Sequence, residues 1–250
     1  MTGLEYVNGV LNKYAVYPKK AAQYHSYFLP YITEWANGFL VDVKISGSSA
    51  KGTAVSSGTD VDLFISLTST TNNTLNEIYE SLFSYMAGKN FKVRRQNVSI
   101  GIDHYSNQID LVPGRRQSQF GNDHSLYVSK KNSWTKTNID THISKISNSN
   151  RLNEIKLAKI WRNANNLDFP SFYLELVIMD ALYYKAIGAT DTNFLAALNF
   201  IATNIEFNCY LDPSNANNCI SDQVSAVEKK RIATTAKNSA SQQYWKDVVA

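Results

Sequence analysis

Apolar residues recur along the chain with two different periods, and these periods predict where helices and strands lie. Before Trp35 they return about every 3.6 residues, which predicts helices on both sides of Pro18. From Phe39 to Val128 much of the chain alternates apolar and polar residues, as β-strands do. Beyond Val128 the helical spacing resumes. The pattern therefore predicts an α+β fold in which a strand-rich part precedes a helical part.

One helix interrupts the strands, and the others lie in the second half. Thr74 with Glu77 three residues later is a capping-box pattern, and Gly88 is a favoured helix end. The later helices are predicted at Thr137–Ile146, Arg151–Asn166, Ser171–Ile187, Asn193–Asn204 and Val227–Trp245. We expect two lobes, 1–130 with N-terminal helices and a mixed sheet and 131–250 with helices, and a ligand cleft between them.

Two carboxylates begin one predicted strand, directly after a loop of small residues. Asp60 and Asp62 alternate with apolar residues, so both side chains point to the same face of an extended chain. Two like charges roughly 4 Å apart repel by about 4 kcal/mol at an effective dielectric near ~20, which favours a bound cation between them. The alternative is an edge strand that turns both acids to solvent.

A third carboxylate, Asp110, follows on a later strand of the same predicted sheet, which Pro113 and Gly114 are expected to end. Mg²⁺ takes only one or two protein carboxylates and keeps positions for water and phosphate oxygens. Three acids on neighbouring strands can therefore hold two Mg²⁺ ions, or Mn²⁺ in their place, for transfer of a nucleotide. The alternative for Asp110 is a plain exposed strand residue.

Composition limits the partners. The 250 residues include 25 Lys and Arg and 21 Asp and Glu, and the net charge of +4 is too mild to suggest a nucleic-acid binder. Without an apolar run near ~20 residues or a signal-peptide pattern, a cytoplasmic protein with no membrane contact is expected. Cys209 and Cys219 lack partners for a zinc set, so we expect two reduced thiols, with a disulfide as the alternative.

The residues around the acidic pair match a known pattern. The pattern consists of Gly47 and Ser48, eleven intervening residues, the run Asp60-Val61-Asp62 and the later Asp110. It resembles the active-site signature of the polymerase-β-like nucleotidyltransferase superfamily. Four further segments together resemble the bacterial CD-NTases, which make cyclic oligonucleotides, and these are Trp134–His142, Leu157–Trp161, Pro170–Leu176 and Leu211–Asn218. The resemblance covers nearly the whole chain, and it implies a nucleotidyltransferase lobe, a C-terminal helical lobe and an active site in the cleft.

The resemblance also implies roles for single residues. Asp60, Asp62 and Asp110 would bind the two Mg²⁺ ions. Gly47 lets the backbone approach a phosphate, and Ser48 would hold the donor triphosphate. Lys159 would reach the β and γ phosphates, and Ser171 would add a donor at a helix N-terminus. Without the resemblance, Lys159 is a solvated lysine and Ser171 is a helix cap. Lys51 departs from the family pattern, because many relatives have Arg there.

The function implied is a Mg²⁺-dependent enzyme that joins ATP, GTP, CTP or UTP into a cyclic di- or trinucleotide for anti-phage (CBASS) signalling. A downstream effector would act through the product, and a monomer is expected. One alternative is transfer to an RNA 3′ end, as in CCA or poly(A) addition, or to a small molecule. A second alternative is an inactive nucleotide-binding module.

Overall fold

The structure is a computed structural model that describes residues 1–16, 19–58, 60–105 and 107–250. Its α-helices are α1 (Gly3–Lys13), α2 (Lys19–Ala36), α3 (Gly47–Lys51), α4 (Leu75–Gly88), α5 (Ile139–Ser147), α6 (Leu152–Ala164), α7 (Ser171–Ala181), α8 (Thr190–Asn204), α9 (Ala226–Ala240) and α10 (Trp245–Val248). Its strands are β1 (Leu40–Ile45), β2 (Val61–Leu67), β3 (Lys92–Arg95), β4 (Ile100–His104), β5 (Asn107–Arg116), β6 (His124–Val128), β7 (Ser133–Thr137), β8 (Leu211–Asp212) and β9 (Asn215–Cys219). Helices and strands together confirm the predicted α+β class.

The chain divides into two compact units, each built from separate stretches of sequence. The sheet unit consists of Tyr17–Lys51 and Thr59–Ile143, and the helical unit consists of Met1–Val16, Gly52–Gly58 and Ser144–Ala250. The division differs from the predicted lobes because the first helix and a short segment before the acidic pair belong to the helical unit.

The sheet unit is organised by a mixed sheet in which β5 is central and β2 lies between β1 and β5. The strand order is β1-β2-β5-β4-β3, and β6 and β7 extend it from β5. β2 and β5 are parallel, whereas the other neighbours are antiparallel. Alternate residues of β2, such as Leu63 and Ile65, are fully buried in one core with Phe28 of α2 and Leu82 of α4. Asp62 lies between Val61 and Leu63, which are both buried in this core, and its side chain therefore points to the opposite face.

Local signals define α4 as the sequence predicts. The Thr74 side chain accepts a hydrogen bond from the backbone of Glu77, and the Glu77 carboxylate accepts one from the backbone of Thr74. Both halves of the capping box are thus formed, and the predicted helix start is confirmed.

Of two predicted interruptions, one is only partly right and the other is wrong. The small residues after Ser46 form the short helix α3 and not only a loop. β5 continues through Pro113 to Arg116, although Pro113 was expected to end it. The pairing of β5 with β4 stops at Leu111, while β2 still pairs alongside Pro113. At Pro113, the edge of β5 that faced β4 is therefore no longer paired with that strand. A strand tolerates proline, which has no N–H, at such an unpaired edge.

The strand-rich part also extends further than the period suggests. β7 follows β6 in a hairpin beyond Val128, and β8 and β9 form a small hairpin in the helical half. The expectation of two reduced thiols is wrong, because Cys209 and Cys219 form a disulfide next to this second hairpin. Leu211 pairs with Cys219, so the hairpin brings the two cysteines together.

The helical unit has its own core, formed by α1 and α6 to α9. Val7 and Val10 of α1 are buried in the same cluster as Trp161 of α6 and Leu198 of α8. The Trp161 indole N–H donates to the Ser239 hydroxyl at 2.9 Å, so this large ring is buried without an unpaired donor. Packing of α1 into this cluster explains why the N-terminus belongs to the helical unit. No helix in the described residues is both long and apolar enough to cross a membrane.

A charged pair lies within the core of the helical unit. The ammonium of Lys159 is 2.6 Å from the Glu175 carboxylate, and their side chains are 3% and 0% exposed. Thr53 completes the group, because its hydroxyl donates to Glu175 at 2.7 Å and accepts from Lys159 at 2.8 Å. The three groups satisfy one another in a place where an unpaired charge would be costly.

Replacement of Glu175 by glutamine tests this pair. The variant should lower the free energy of unfolding by about 3–5 kcal/mol, because the buried Lys159 ammonium loses its counter-charge. Equilibrium unfolding in urea, followed by circular dichroism, measures the change. Glu228→Gln is the control, since its pair with the exposed Arg231 should contribute less than about 1 kcal/mol. Equal losses in the two variants would contradict the assignment.

Candidate functional site

The strand register brings two of the predicted acids side by side. Asp62 of β2 is the direct partner of Asp110 of β5 in the parallel pair, so both carboxylates leave the same face of the sheet. Asp60 precedes the first residue of β2 by one position. The face that carries these acids is opposite the core that contains Leu63 and Leu111.

The acids influence one another electrostatically. Burial, together with the neighbouring charge of Asp60, raises the pKa of Asp110 to about 6, although Arg94 opposes the shift. Burial also raises the pKa of Asp60, against the attraction of Arg94 and Lys20. A nearby cation would stabilise the ionised forms of carboxylates that are disfavoured in this way.

The start of α3 is packed against the acidic strand. Gly47 has a φ of 58°, and a Cβ at this position would collide with the carboxylate of Asp62. The backbone N–H of Ser46 donates to the carbonyl of Asp62 at 2.8 Å, which holds the two segments together. Glycine is therefore required at 47 by both conformation and space. Ser48, the next residue of α3, is partly buried.

Asp110 has polar neighbours that the sequence does not indicate. The Gln96 amide donates to Oδ1 of Asp110 at 3.0 Å, and a guanidinium nitrogen of Arg94 lies 3.9 Å from the same oxygen. On β4 the partner of Asp110 is Gly101. No local pattern distinguishes these three residues, because only the pairing of β3, β4 and β5 brings them to the acid.

The donor chemistry fits a divalent metal ion, with an incomplete protein ligand set. Within the described ranges, no three His, Cys, Asp or Glu side chains converge closely enough to hold one ion by themselves. Mg²⁺ requires few protein carboxylates when water and substrate oxygens complete its octahedral shell. Asp62 and Asp110 provide hard oxygen donors of this kind on one face of the sheet, and Asp60 lies close enough for its charge to act on Asp110.

The other two predicted site residues belong to the helical unit, where both are already engaged. Lys159 is paired with Glu175 in the core. Ser171 is the first residue of α7 and makes no side-chain cap, so the predicted capping role is wrong. Pro170 occupies the cap position, and the Ser171 hydroxyl accepts a hydrogen bond from Arg162 at 3.0 Å.

Comparisons by sequence identify no relative: no family model and no curated protein matches the chain. Comparisons of structure give clear matches. The CD-NTase CdnG of Bradyrhizobium diazoefficiens, solved with GTP, aligns with a TM-score of 0.80 over 96% of this chain and 90% of that one, at 14% identity.

Two further solved structures show the same likeness. CdnC of E. coli MS115-1, solved with ATP, aligns with a TM-score of 0.69 over 92% of this chain and 87% of that one, at 20% identity. The cyclic dinucleotide synthase CdnE of Elizabethkingia meningoseptica, solved with GTP and Apcpp, aligns with a TM-score of 0.67 over 88% and 92%, at 15% identity. The structural neighbours are CD-NTases, and the chain has their fold.

Proposed function

We propose that the chain is a nucleotidyltransferase of the CD-NTase type, which joins nucleoside triphosphates into a cyclic di- or trinucleotide. The observation that carries the proposal is the register of Asp62 with Asp110, with the charge of Asp60 close enough to raise the pKa of Asp110. The fold of the solved CD-NTases supports the same function.

In this proposal the three acids hold two Mg²⁺ ions, or Mn²⁺ in their place. The bound ions would activate the attacking ribose hydroxyl and neutralise the leaving pyrophosphate. The residues of the chain fix the acids on neighbouring strands, so that little rearrangement is needed when the substrate arrives. No nucleophilic side chain is required, because the acceptor hydroxyl belongs to the substrate.

Gly47 and Ser48 would contact the donor triphosphate in this proposal. The absence of a side chain at 47 lets the backbone come close, and Ser48 offers its hydroxyl and its amide. We assign Lys159 to the core of the helical unit instead, because its side chain is 3% exposed and its ammonium donates a hydrogen bond to Glu175. Solved neighbours hold GTP and ATP, and we therefore propose purine triphosphates as the first substrates to test. Anti-phage signalling through an effector of the product stays a prediction.

The Asp62→Asn variant tests the acidic site. Purified protein is incubated with labelled ATP, GTP, CTP and UTP and Mg²⁺ or Mn²⁺, treated with phosphatase, and analysed for label that survives. Wild type should give a phosphatase-resistant cyclic product. The variant should lose activity by about 1,000-fold, because metal ions contribute several kcal/mol to the transition state of phosphoryl transfer.

Asp123→Asn is the matched control, since Asp123 is in the same unit and pairs with the accessible Lys136 at 2.8 Å. Its activity should stay near that of wild type. Absence of a resistant product with every nucleotide mixture would refute cyclic-nucleotide synthesis. Label transferred to added tRNA would favour the RNA-end alternative.

The raised pKa of Asp110 predicts that metal binding depends on pH. Below a pH of about 6 the carboxyl is increasingly protonated and neutral, so affinity for a divalent ion should fall as the pH drops through this value. Mn²⁺ binding, measured by electron paramagnetic resonance without nucleotide, should weaken by about tenfold per pH unit below that point when one proton competes. A higher Mn²⁺ concentration should move the midpoint to lower pH. Constant affinity from about pH 5 to about pH 7 would contradict this.

A further inference from the structure

Gln96 belongs to a chain of hydrogen bonds that ends on Asp110. The Ser99 hydroxyl donates to the amide oxygen of Gln96 at 2.7 Å, and the amide nitrogen donates to Oδ1 of Asp110 at 3.0 Å. An ionised carboxylate only accepts, so the nitrogen must face Asp110 and the oxygen must face Ser99. The two contacts therefore define one orientation of the amide.

The backbone that carries this side chain is also fixed. The N–H of Gln96 donates to the carbonyl of Ser99 at 3.0 Å. The Gln96 carbonyl accepts hydrogen bonds from the hydroxyls of Tyr79 and Ser129, both at 2.7 Å. Tyr79 is fully buried in the core of the sheet unit. A change of the Gln96 side chain leaves these backbone hydrogen bonds in place. The contact with Asp110 can therefore be removed while the backbone at residue 96 keeps its position.

Gly101 provides the space that this arrangement needs. It is the partner of Asp110 on the neighbouring strand, and a Cβ there would lie 2.8 Å from the Gln96 amide nitrogen. The same Cβ would lie 2.8 Å from the central carbon of the Arg94 guanidinium. Both side chains thus cross β4 at a position that has no side chain of its own.

From these contacts we propose that Gln96 is a positioning residue for the acidic site. Its amide binds Oδ1 of Asp110 at 3.0 Å and thereby orients the carboxylate that a divalent ion would share. Arg94 is 3.9 Å from the same Oδ1 and offers positive charge on that side, anchored by Asp103 and Gln108. The inference rests on the proposed metal-dependent function, and it adds the group that orients one ligand.

A purely structural role for Gln96 predicts a different result. If the amide only tied the turn between β3 and β4 to the sheet, its loss would lower thermal stability and leave metal affinity unchanged. Partners of a metal ligand, in contrast, commonly change metal affinity by about 10–100-fold when they are removed. Metal affinity in a folded variant therefore separates the two roles.

The experiment measures Mn²⁺ binding by electron paramagnetic resonance in the absence of nucleotide. Gln96→Leu should bind Mn²⁺ at least about tenfold more weakly than wild type, and it should retain a cooperative thermal transition. Gly101→Ala should act in the same direction, because its Cβ displaces the Gln96 amide, together with the Arg94 guanidinium that crosses β4 at the same position. In the cyclic-product assay, both variants should need more Mn²⁺ for half-maximal activity.

Gln117→Leu is the control, since the side-chain amide of this exposed glutamine donates to the Ser125 hydroxyl at 3.1 Å. It should bind Mn²⁺ as wild type does. Wild-type affinity in folded Gln96→Leu and Gly101→Ala would overturn the positioning role while the proposed function stands. Wild type that binds no Mn²⁺ and forms no cyclic product would overturn both.

Discussion

The parallel pairing of β2 with β5 is the constraint on which the acidic site depends. Parallel neighbours need a crossover, and here the chain passes through α4, β3 and β4 between them. The register is held by the buried side chains of both strands, including Leu63 and Leu111, which are direct partners. A slip of either strand by one residue would turn its own carboxylate, Asp62 on β2 or Asp110 on β5, into this core, so the energy of the core fixes the position of the acids.

Asp60 and Asp110 occupy an arrangement that opposes their own ionisation. Burial and the charge of Asp60 raise the pKa of Asp110, and the surrounding residues only partly compensate. Arg94 and Gln96 both approach one oxygen of Asp110, and Gly47 removes a side chain that would collide with Asp62. Such a cluster is understandable as a site that a divalent ion completes, since nothing in the packing of the sheet requires the like charges to be together.

In the helical unit, the role of a charged residue depends on its surroundings in the structure. The sequence places Lys159 among apolar residues of a helix, and this pattern fits both a solvated lysine and a phosphate ligand. In the structure its ammonium is held by Glu175 and Thr53. Glu175 follows sixteen residues later, and Thr53 is 106 residues earlier. Thr53 lies in Gly52–Gly58, which joins the helical unit although the segments on either side belong to the sheet unit.

The sequence by itself determined the features that depend on residues close to one another in the chain. The capping box of Thr74 and Glu77, the alternation that puts Asp60 and Asp62 on one face, and the α+β class all depend on neighbours within a few positions. Tertiary structure decided the rest: the register of Asp62 with Asp110, the reach of Gln96 and the disulfide between Cys209 and Cys219. These contacts join residues from separate elements, and only the packing of buried side chains selects one such pairing among the many that local patterns allow.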